Sequence, residues 1–246
     1  MLSSFKWVVG SLNVLENDGK ATTLITGGRH PPPMRIQNRI VLALDDLSGD
    51  RAVEVASGLV HGLDAVKVGY PLVLTEGLGV VSRLSRIAPV ICDFKVADIP
   101  AVSAMIVRRA VDAGAAGVIV HGFVGHDSVA EAAEAAGDAD VFVVTEMSHP
   151  GALDYLQDRA EDMAAMARDA GATGIIAPAT RPARVTTLRG IIGPELLILS
   201  PGVGTQGGSA GETIRAGASA VIVGRSLYRA EDPATALASL LGDLGR

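Results

Sequence analysis

The chain has 246 residues, 48% of them apolar, and a net charge of −6 from 21 Lys+Arg against 27 Asp+Glu. That hydrophobicity excludes disorder for the bulk of the chain, and the acidic balance with only 3% aromatics argues against a nucleic-acid-binding surface. Every apolar run is broken before the ~18 residues a membrane span needs. Cys92, the only cysteine, permits neither a disulfide nor a thiolate metal cluster, so a reducing, cytoplasmic setting is the expectation.

Residues 1–37 differ from the rest. The stretch Trp7-Val8-Val9 is too short for a signal-peptide core, and the segment ends in Gly27-Gly28-Arg29-His30-Pro31-Pro32-Pro33. Consecutive prolines favour an extended conformation. This part reads as an appended, poorly anchored extension, with Met34 a candidate start of the working domain, residues 38–246.

From Arg39 onward, short Val- and Ile-rich runs recur. They are Ile40–Leu44, Ala65–Val68, Val90–Phe94, Gly117–Val120, Val141–Val144, Gly174–Ala177, Leu196–Leu199 and Ala220–Val223. Nearly continuous apolar character over so few residues is the mark of parallel strands covered on both faces. Their expected last residues, Asp45, Gly69, Lys95, His121, Thr145, Pro178, Ser200 and Gly224, are spaced by 24, 26, 26, 24, 33, 22 and 24. One strand, one helix and two loops consume about that length. Between them Asp50–Leu63, Val102–Ala113, Asp127–Ala136 and Arg159–Ala170 are Ala-rich and amphipathic, and Gly114, Gly137 and Gly171 suit helix C-caps. Eight such units predict a single-domain (β/α)₈ TIM barrel. An open doubly wound sheet is the rival, but it calls for a Gly-rich turn after the first strand, where Asp45-Asp46-Leu47 stands instead.

Barrel active sites lie at the strand C-termini. The first strand there ends in Asp45, the second carries Lys67, and the third carries Asp93 and Lys95 with Asp98 just beyond. Residues two apart share a face, so Asp93 and Lys95 project into the mouth while Cys92 and Phe94 turn to the helices. Charges alternating in sign can hold one another ionised where each alone would be costly. The blander reading is an ion-pair network that ties the strands together. After the seventh strand, Gly202, Gly204, Gly207, Gly208 and Ser209 allow backbone N–H groups to close on an anion, and Arg225 after the eighth supplies a fork that fits phosphate. His61 and His126 read as surface residues. His121 and His149 lie near the mouth without convincing metal spacing, and Ser148 has no general base beside it for a hydrolase triad.

These segments occur in order: Leu42-Ala43-Leu44-Asp45, Val66-Lys67-Val68-Gly69, Asp93-Phe94-Lys95-Val96-Ala97-Asp98-Ile99-Pro100, Glu146-Met147-Ser148-His149-Pro150-Gly151, and Ser200-Pro201-Gly202-Val203-Gly204-Thr205-Gln206-Gly207-Gly208. Together they resemble orotidine 5'-phosphate decarboxylases of the short, archaeal-type branch, over residues 38–246. The resemblance implies cofactor-free and metal-free loss of CO₂ from orotidine 5'-phosphate to give UMP, with Lys95 delivering a proton to C6 and Asp93 lying against the substrate carboxylate. It implies that Asp45 and Lys67 contact the ribose, that Lys67 organises the charged row, and that Ser148 bonds the pyrimidine edge. Gln206, Gly224 and Arg225 would hold the phosphate, with Ile99, Pro201, Gly202, Val203, Gly204, Gly207 and Gly208 completing the substrate-binding set. It also implies a homodimer in which Asp98 reaches the neighbour's site. Where the family often has a hydroxyl residue two positions after Asp-Ile-Pro, this chain has Val102; Ser103, one residue on, offers a hydroxyl whose direction is open. Two rivals are a Mg²⁺-dependent keto-sugar-phosphate decarboxylase of the same superfamily and a non-catalytic phosphate-binding barrel.

Overall fold

The computed structural model describes residues 34–245 and, upstream, two short strands that pair antiparallel, β1 (Val14–Asn17) and β2 (Lys20–Thr23). The expectation of a poorly anchored segment over the remainder of residues 1–33 lies outside the described residues.

The eight expected strands all form: β3 (Ile40–Ala43), β4 (Ala65–Gly69), β5 (Val90–Val96), β6 (Gly117–His121), β7 (Asp140–Val144), β8 (Gly174–Ile176), β9 (Leu197–Pro201) and β10 (Ala220–Val223). Each pairs in parallel with its sequence neighbours, and β10 pairs with β3, so the sheet closes into a barrel. Strand alternation sorts the side chains into two cores. Along β3, Val41 and Ala43 face inward with Ile91, Ile119, Phe142, Val144, Ile176 and Leu199. Ile40 and Leu42 face outward into the larger core shared with the helices. Both faces of the sheet are thereby dry, which is why the runs read as continuously apolar.

The helices α1 (Gly49–Leu59), α2 (Tyr70–Glu76), α3 (Gly79–Leu84), α4 (Pro100–Asp112), α5 (His126–Ala136), α6 (Ala152–Tyr155), α7 (Ala160–Asp169), α8 (Pro182–Ile192), α9 (Ala210–Arg215), α10 (Arg225–Tyr228) and α11 (Pro233–Asp243) follow the strands in turn. The four amphipathic stretches correspond to α1, α4, α5 and α7, except that α1 stops at Leu59 and passes into a 3₁₀ turn, Val60–Gly62. Gly137 and its like lie just past the helix ends at positive φ, as C-caps do (Gly114 φ +100°, Gly137 φ +60°, Gly171 φ +79°). None of the described helices is long and apolar enough to cross a membrane.

At the N-terminal end of the barrel, Met34 is buried beneath the inner core and its N–H donates to Asp140 Oδ2 at 2.8 Å. Asp64 accepts the backbone N–H groups of Gln37, Asn38, Arg39 and Ile40. The barrel therefore takes in Met34–Gln37, upstream of the boundary expected at residue 38. The opposite end, where the strands finish, is where the charged side chains gather.

Candidate active site

Asp45, Lys67, Asp93 and Lys95 form one continuous row across the ends of β3, β4 and β5. Lys67 Nζ lies 3.3 Å from Asp45 Oδ1 and 2.9 Å from Asp93 Oδ2, and Lys95 Nζ lies 2.8 Å from Asp93 Oδ1. Lys67 is 5% exposed and Asp93 9%, so neither charge is stabilised by bulk water. Burial pushes the Lys67 ammonium toward neutrality, but Asp93 and Asp45 outweigh it and leave its pKa above the ordinary lysine value. Burial likewise raises Asp93, and Lys67 with Lys95 more than reverses this, holding the carboxyl below its ordinary range. The row thus stays ionised because the members alternate in sign. Both oxygens of Asp93 are occupied by ammonium groups, so a divalent cation there would have to displace a lysine.

The backbone at Lys95 is not that of a plain strand. Its φ is +43°, a left-handed conformation in which Cβ crowds the following carbonyl. The register of β5 against β6 shifts between Cys92 and Val96 at the same point. Asp93 and Lys95 do share the mouth while Cys92 and Phe94 are buried in the outer core, as alternation predicted. Strain of this kind is retained where the surrounding structure over-determines it, commonly at functional sites.

Beside the row opens a cavity of about 200 Å³, lined by Asp45, Lys67, Asp93, Pro201, Gly202, Val203, Gln206, Gly224 and Arg225, with Thr205, Ala43 and Ile222. Its residues come from β3, β4, β5, the loop after β9 and the start of α10, so the topology brings the charged row and the expected phosphate grip to one space. Part of the loop's own hydrogen bonding is internal. Gly204 N donates to Gly208 O, Gly207 N to Gly204 O and Gly208 N to Gly202 O. Those three donors are spent inside the loop, whereas the N–H groups of Val203, Thr205, Gln206 and Arg225 take no backbone partner there and stand with the Gln206 and Arg225 side chains. Two glycines are sterically required: Gly202 has φ +107° and would drive a Cβ to 3.1 Å from Ser148 Cβ, and a Cβ on Gly208 would lie 2.7 Å from Gly202 O. Ser148 thus packs directly against the loop after β9. A larger cavity, about 460 Å³, opens at the other end of the barrel among Met34, Asp64 and Arg86 and holds none of these groups.

Asp98 and Ile99 stand apart. Both are exposed, and Asp98 forms no ion pair among the described residues; its Oδ1 accepts the N–H of Ile99 at 2.8 Å. Ser103 does not supply the hydroxyl that Val102 lacks. It is buried, and its Oγ points inward to Asp98 O at 3.0 Å and Ser128 Oγ at 3.0 Å.

With this geometry in hand, comparison with known proteins is decisive. Residues 38–240 match the family described as Orotidine 5'-phosphate decarboxylase / HUMPS. The chain belongs to that family. A curated orotidine 5'-phosphate decarboxylase of Methanococcoides burtonii is 52% identical over 213 residues, 86% of this chain and 99% of the relative. The enzyme of that name from Thermococcus kodakarensis is 40% identical over 85% of this chain and 97% of its own length. Among solved structures, orotidine 5'-monophosphate decarboxylase of Methanocaldococcus jannaschii, complexed with the inhibitor BMP, superposes with a TM-score of 0.80 at 39% identity, covering 85% of this chain and 99% of the other.

Two features of this family member receive no role from the sequence alone. Glu146, at the end of β7, is wholly buried between Arg181 Nε and Arg184 Nε, each 2.9 Å from one of its carboxylate oxygens. Arg181 also bonds Met147 O, and Thr180 Oγ1 donates to Ser148 O at 3.0 Å, so the Met147-Ser148 segment is clamped from the β8 side. The partners lie 35 and 38 residues from Glu146, and no local pattern announces such a contact. His121 is the second: its Nδ1 has no partner among the described residues, and burial with the nearby Lys95 pushes its pKa down to about 4 against the pull of Asp93. It is a neutral imidazole beside the charged row.

Proposed function

We infer that this chain is an orotidine 5'-phosphate decarboxylase, a carboxy-lyase that releases CO₂ and forms UMP, the last step of de novo pyrimidine synthesis. The observation that carries the mechanism is the alternating row Asp45–Lys67–Asp93–Lys95 beside a cavity that also presents Gln206 and Arg225. The C6–carboxylate bond breaks heterolytically, CO₂ leaves, and the electron pair stays on C6. A carbon with no adjacent electron sink needs a fixed positive charge where the pair develops, and the Lys95 ammonium is that charge. Lys95 then gives its proton to C6 and regains one from solvent. Asp93 fixes Lys95 on one side and Lys67 on the other, and in the complex it faces the departing carboxylate. Asp45 and Lys67 take the ribose hydroxyls, Ser148 the pyrimidine edge, and Gln206, Gly224 and Arg225 the phosphate, with the Pro201–Gly204 and Gly207–Gly208 backbone closing around it. Binding energy from the phosphate, remote from C6, orders the site for the chemical step.

The exposed Asp98 and Ile99, with no lysine partner for Asp98 among the described residues, support a homodimer in which they complete the neighbour's site. The single buried cysteine fits a reducing cytoplasm.

The family description spans two chemistries, and the relatives' names, the Ser148 segment and the Gln206 loop favour the nucleotide. The deciding assay follows the absorbance of orotidine 5'-phosphate with purified protein in chelator. Loss of substrate at an undiminished rate is expected. Activity that requires added Mg²⁺, on a keto-sugar phosphate alone, would establish the other chemistry; UMP binding without any turnover would establish a non-catalytic barrel.

A further inference from the structure

The segment that carries Asp98 is exposed, yet one atom of it is turned firmly inward. Asp98 O takes no backbone N–H among the described residues; its partners are two side-chain hydroxyls, Ser128 Oγ at 2.7 Å and Ser103 Oγ at 3.0 Å. Both serines are 2% exposed, and their hydroxyl oxygens lie 3.0 Å apart. The three oxygens form a triangle with three short edges and only two protons to fill them. With both protons on Asp98 O, its two lone pairs are satisfied and the peptide plane between Asp98 and Ile99 is fixed.

This carbonyl lies outside the hydrogen-bond ladder of α4. The helix is entered at Ile99, whose own carbonyl accepts the N–H groups of Val102 and Ser103, and Pro100 supplies the first turn. The helix start is therefore complete without the serines. What they add is a tie between two helices: Ser103 sits on α4, Ser128 on α5, and both converge on Asp98, whose exposed carboxylate has no ion-pair partner among the described residues. Asp98 Oδ1 is held in turn by the N–H of Ile99, so the same peptide governs both its carbonyl and its side chain.

We propose that the paired hydroxyls of Ser103 and Ser128 are positioning residues that hold the Asp98–Ile99 peptide in the conformation that delivers Asp98 and Ile99 to the neighbouring subunit's site. This rests on the shared-site reading above. Neither serine touches substrate; they act through Asp98, in the partner's site and not in their own. A polar group misplaced by about 1 Å can cost a hundredfold in rate, and loss of both donors frees a peptide that is otherwise exposed.

The experiment mixes chains. Ser103→Ala/Ser128→Ala alone should lose about tenfold or more in kcat/KM for orotidine 5'-phosphate, with a dimer mass and circular dichroism like those of wild type. In an Asp98→Ala background the same two substitutions should cost much less, only what acts through Ile99. Mixed with Lys95→Ala, the serine variant should regain wild-type turnover at the site that combines its own Lys95 with Asp98 from the Lys95→Ala chain. Conversely, a chain carrying Lys95→Ala with both serine substitutions should impair the wild-type partner's site. Should the double variant not fold, the two single variants, each keeping one donor, are read in the same way.

Damage that stays with the subunit holding the serine substitutions, or an undiminished loss in the Asp98→Ala background, would overturn the proposal. So would kcat/KM within twofold of wild type. Failure of Lys95→Ala and Asp98→Ala to complement one another would instead refute the shared site itself, which keeps the two outcomes separate.

Discussion

Lys95 combines two roles that pull in opposite directions, and substituting it separates them. In Lys95→Ala the proton donor and the positive charge at C6 both go. A positioned general acid contributes roughly 10²–10⁴-fold and a preorganised electrostatic donor about 10²–10³-fold, so turnover should fall by at least ~10⁴, about 5 kcal/mol of barrier. Stability should respond quite differently. The ion pair with Asp93 involves a side chain 35% exposed, and Lys67 remains to hold Asp93, so its loss costs about 1 kcal/mol at most. Lys95→Ala keeps a Cβ at φ +43°, whereas Lys95→Gly removes the left-handed penalty of roughly 1–2 kcal/mol. Set against the ~0.5–1 kcal/mol of backbone freedom that glycine loses on folding, the glycine variant should be the more stable by ~0.5–1 kcal/mol. That corresponds to a melting temperature about 1–4 °C above the alanine variant. Spectrophotometric turnover and thermal melts of the three proteins measure both quantities. Turnover within about tenfold of wild type in either variant would remove Lys95 from the chemistry; an alanine variant more stable than the glycine one would show that the backbone there is not strained.

Arg225→Ala should raise KM strongly for orotidine 5'-phosphate and leave the phosphate-free nucleoside nearly unaffected, because a guanidinium–phosphate contact acts only when phosphate is present; equal losses on both substrates would make Arg225 structural. Lys95→Ala and Asp98→Ala proteins, each nearly inactive, should complement on subunit exchange to roughly a quarter of wild-type activity, since about half the dimers are mixed and each holds one intact site. No recovery after exchange confirmed by mass spectrometry would place Asp98 in its own subunit's site. Stability should fall as pH drops from 6.5 toward 4: the unfolded chain protonates His121 at its ordinary 6.5, while the native imidazole, mainly through burial, resists down to about 4. The native Asp93 pKa is depressed, so its contribution is present above the ordinary carboxylate value and is lost as pH falls through the native one. His121→Asn should flatten the melting-temperature profile between pH 6.5 and 4; an unaltered slope would mean that His121 is not the group responsible.

The parts of this molecule written in local pattern were legible, and those made by distant partners were not. Eight strands could be read because each is dry on both faces, and the charged row because strand periodicity puts Asp93 and Lys95 on one face of β5. The turn of the backbone at Lys95 left no trace, since any residue type can be forced into a conformation that the β5–β6 register imposes. Glu146 looked like one more polar residue after a strand; its burial is decided by Arg181 and Arg184 on a different unit. The direction of Ser103 depended on Ser128, which lies on the next helix. In the loop after β9, the N–H groups of Gly204, Gly207 and Gly208 turn on the loop's own carbonyls, a choice that glycine content alone does not reveal.

Met34 and the carboxylates of Asp64 and Asp140 stopper the lower end of the barrel, and Phe142, Ile91 and Leu199 fill its bore. The inner core beneath the charged row is dry and close-packed, while the cavity that holds the row also presents Gln206 and Arg225. On the proposed reading, substrate and both products therefore use the mouth alone, and UMP leaves past the same two side chains that bound its phosphate. A weaker hold on phosphate should then speed departure while it slows arrival.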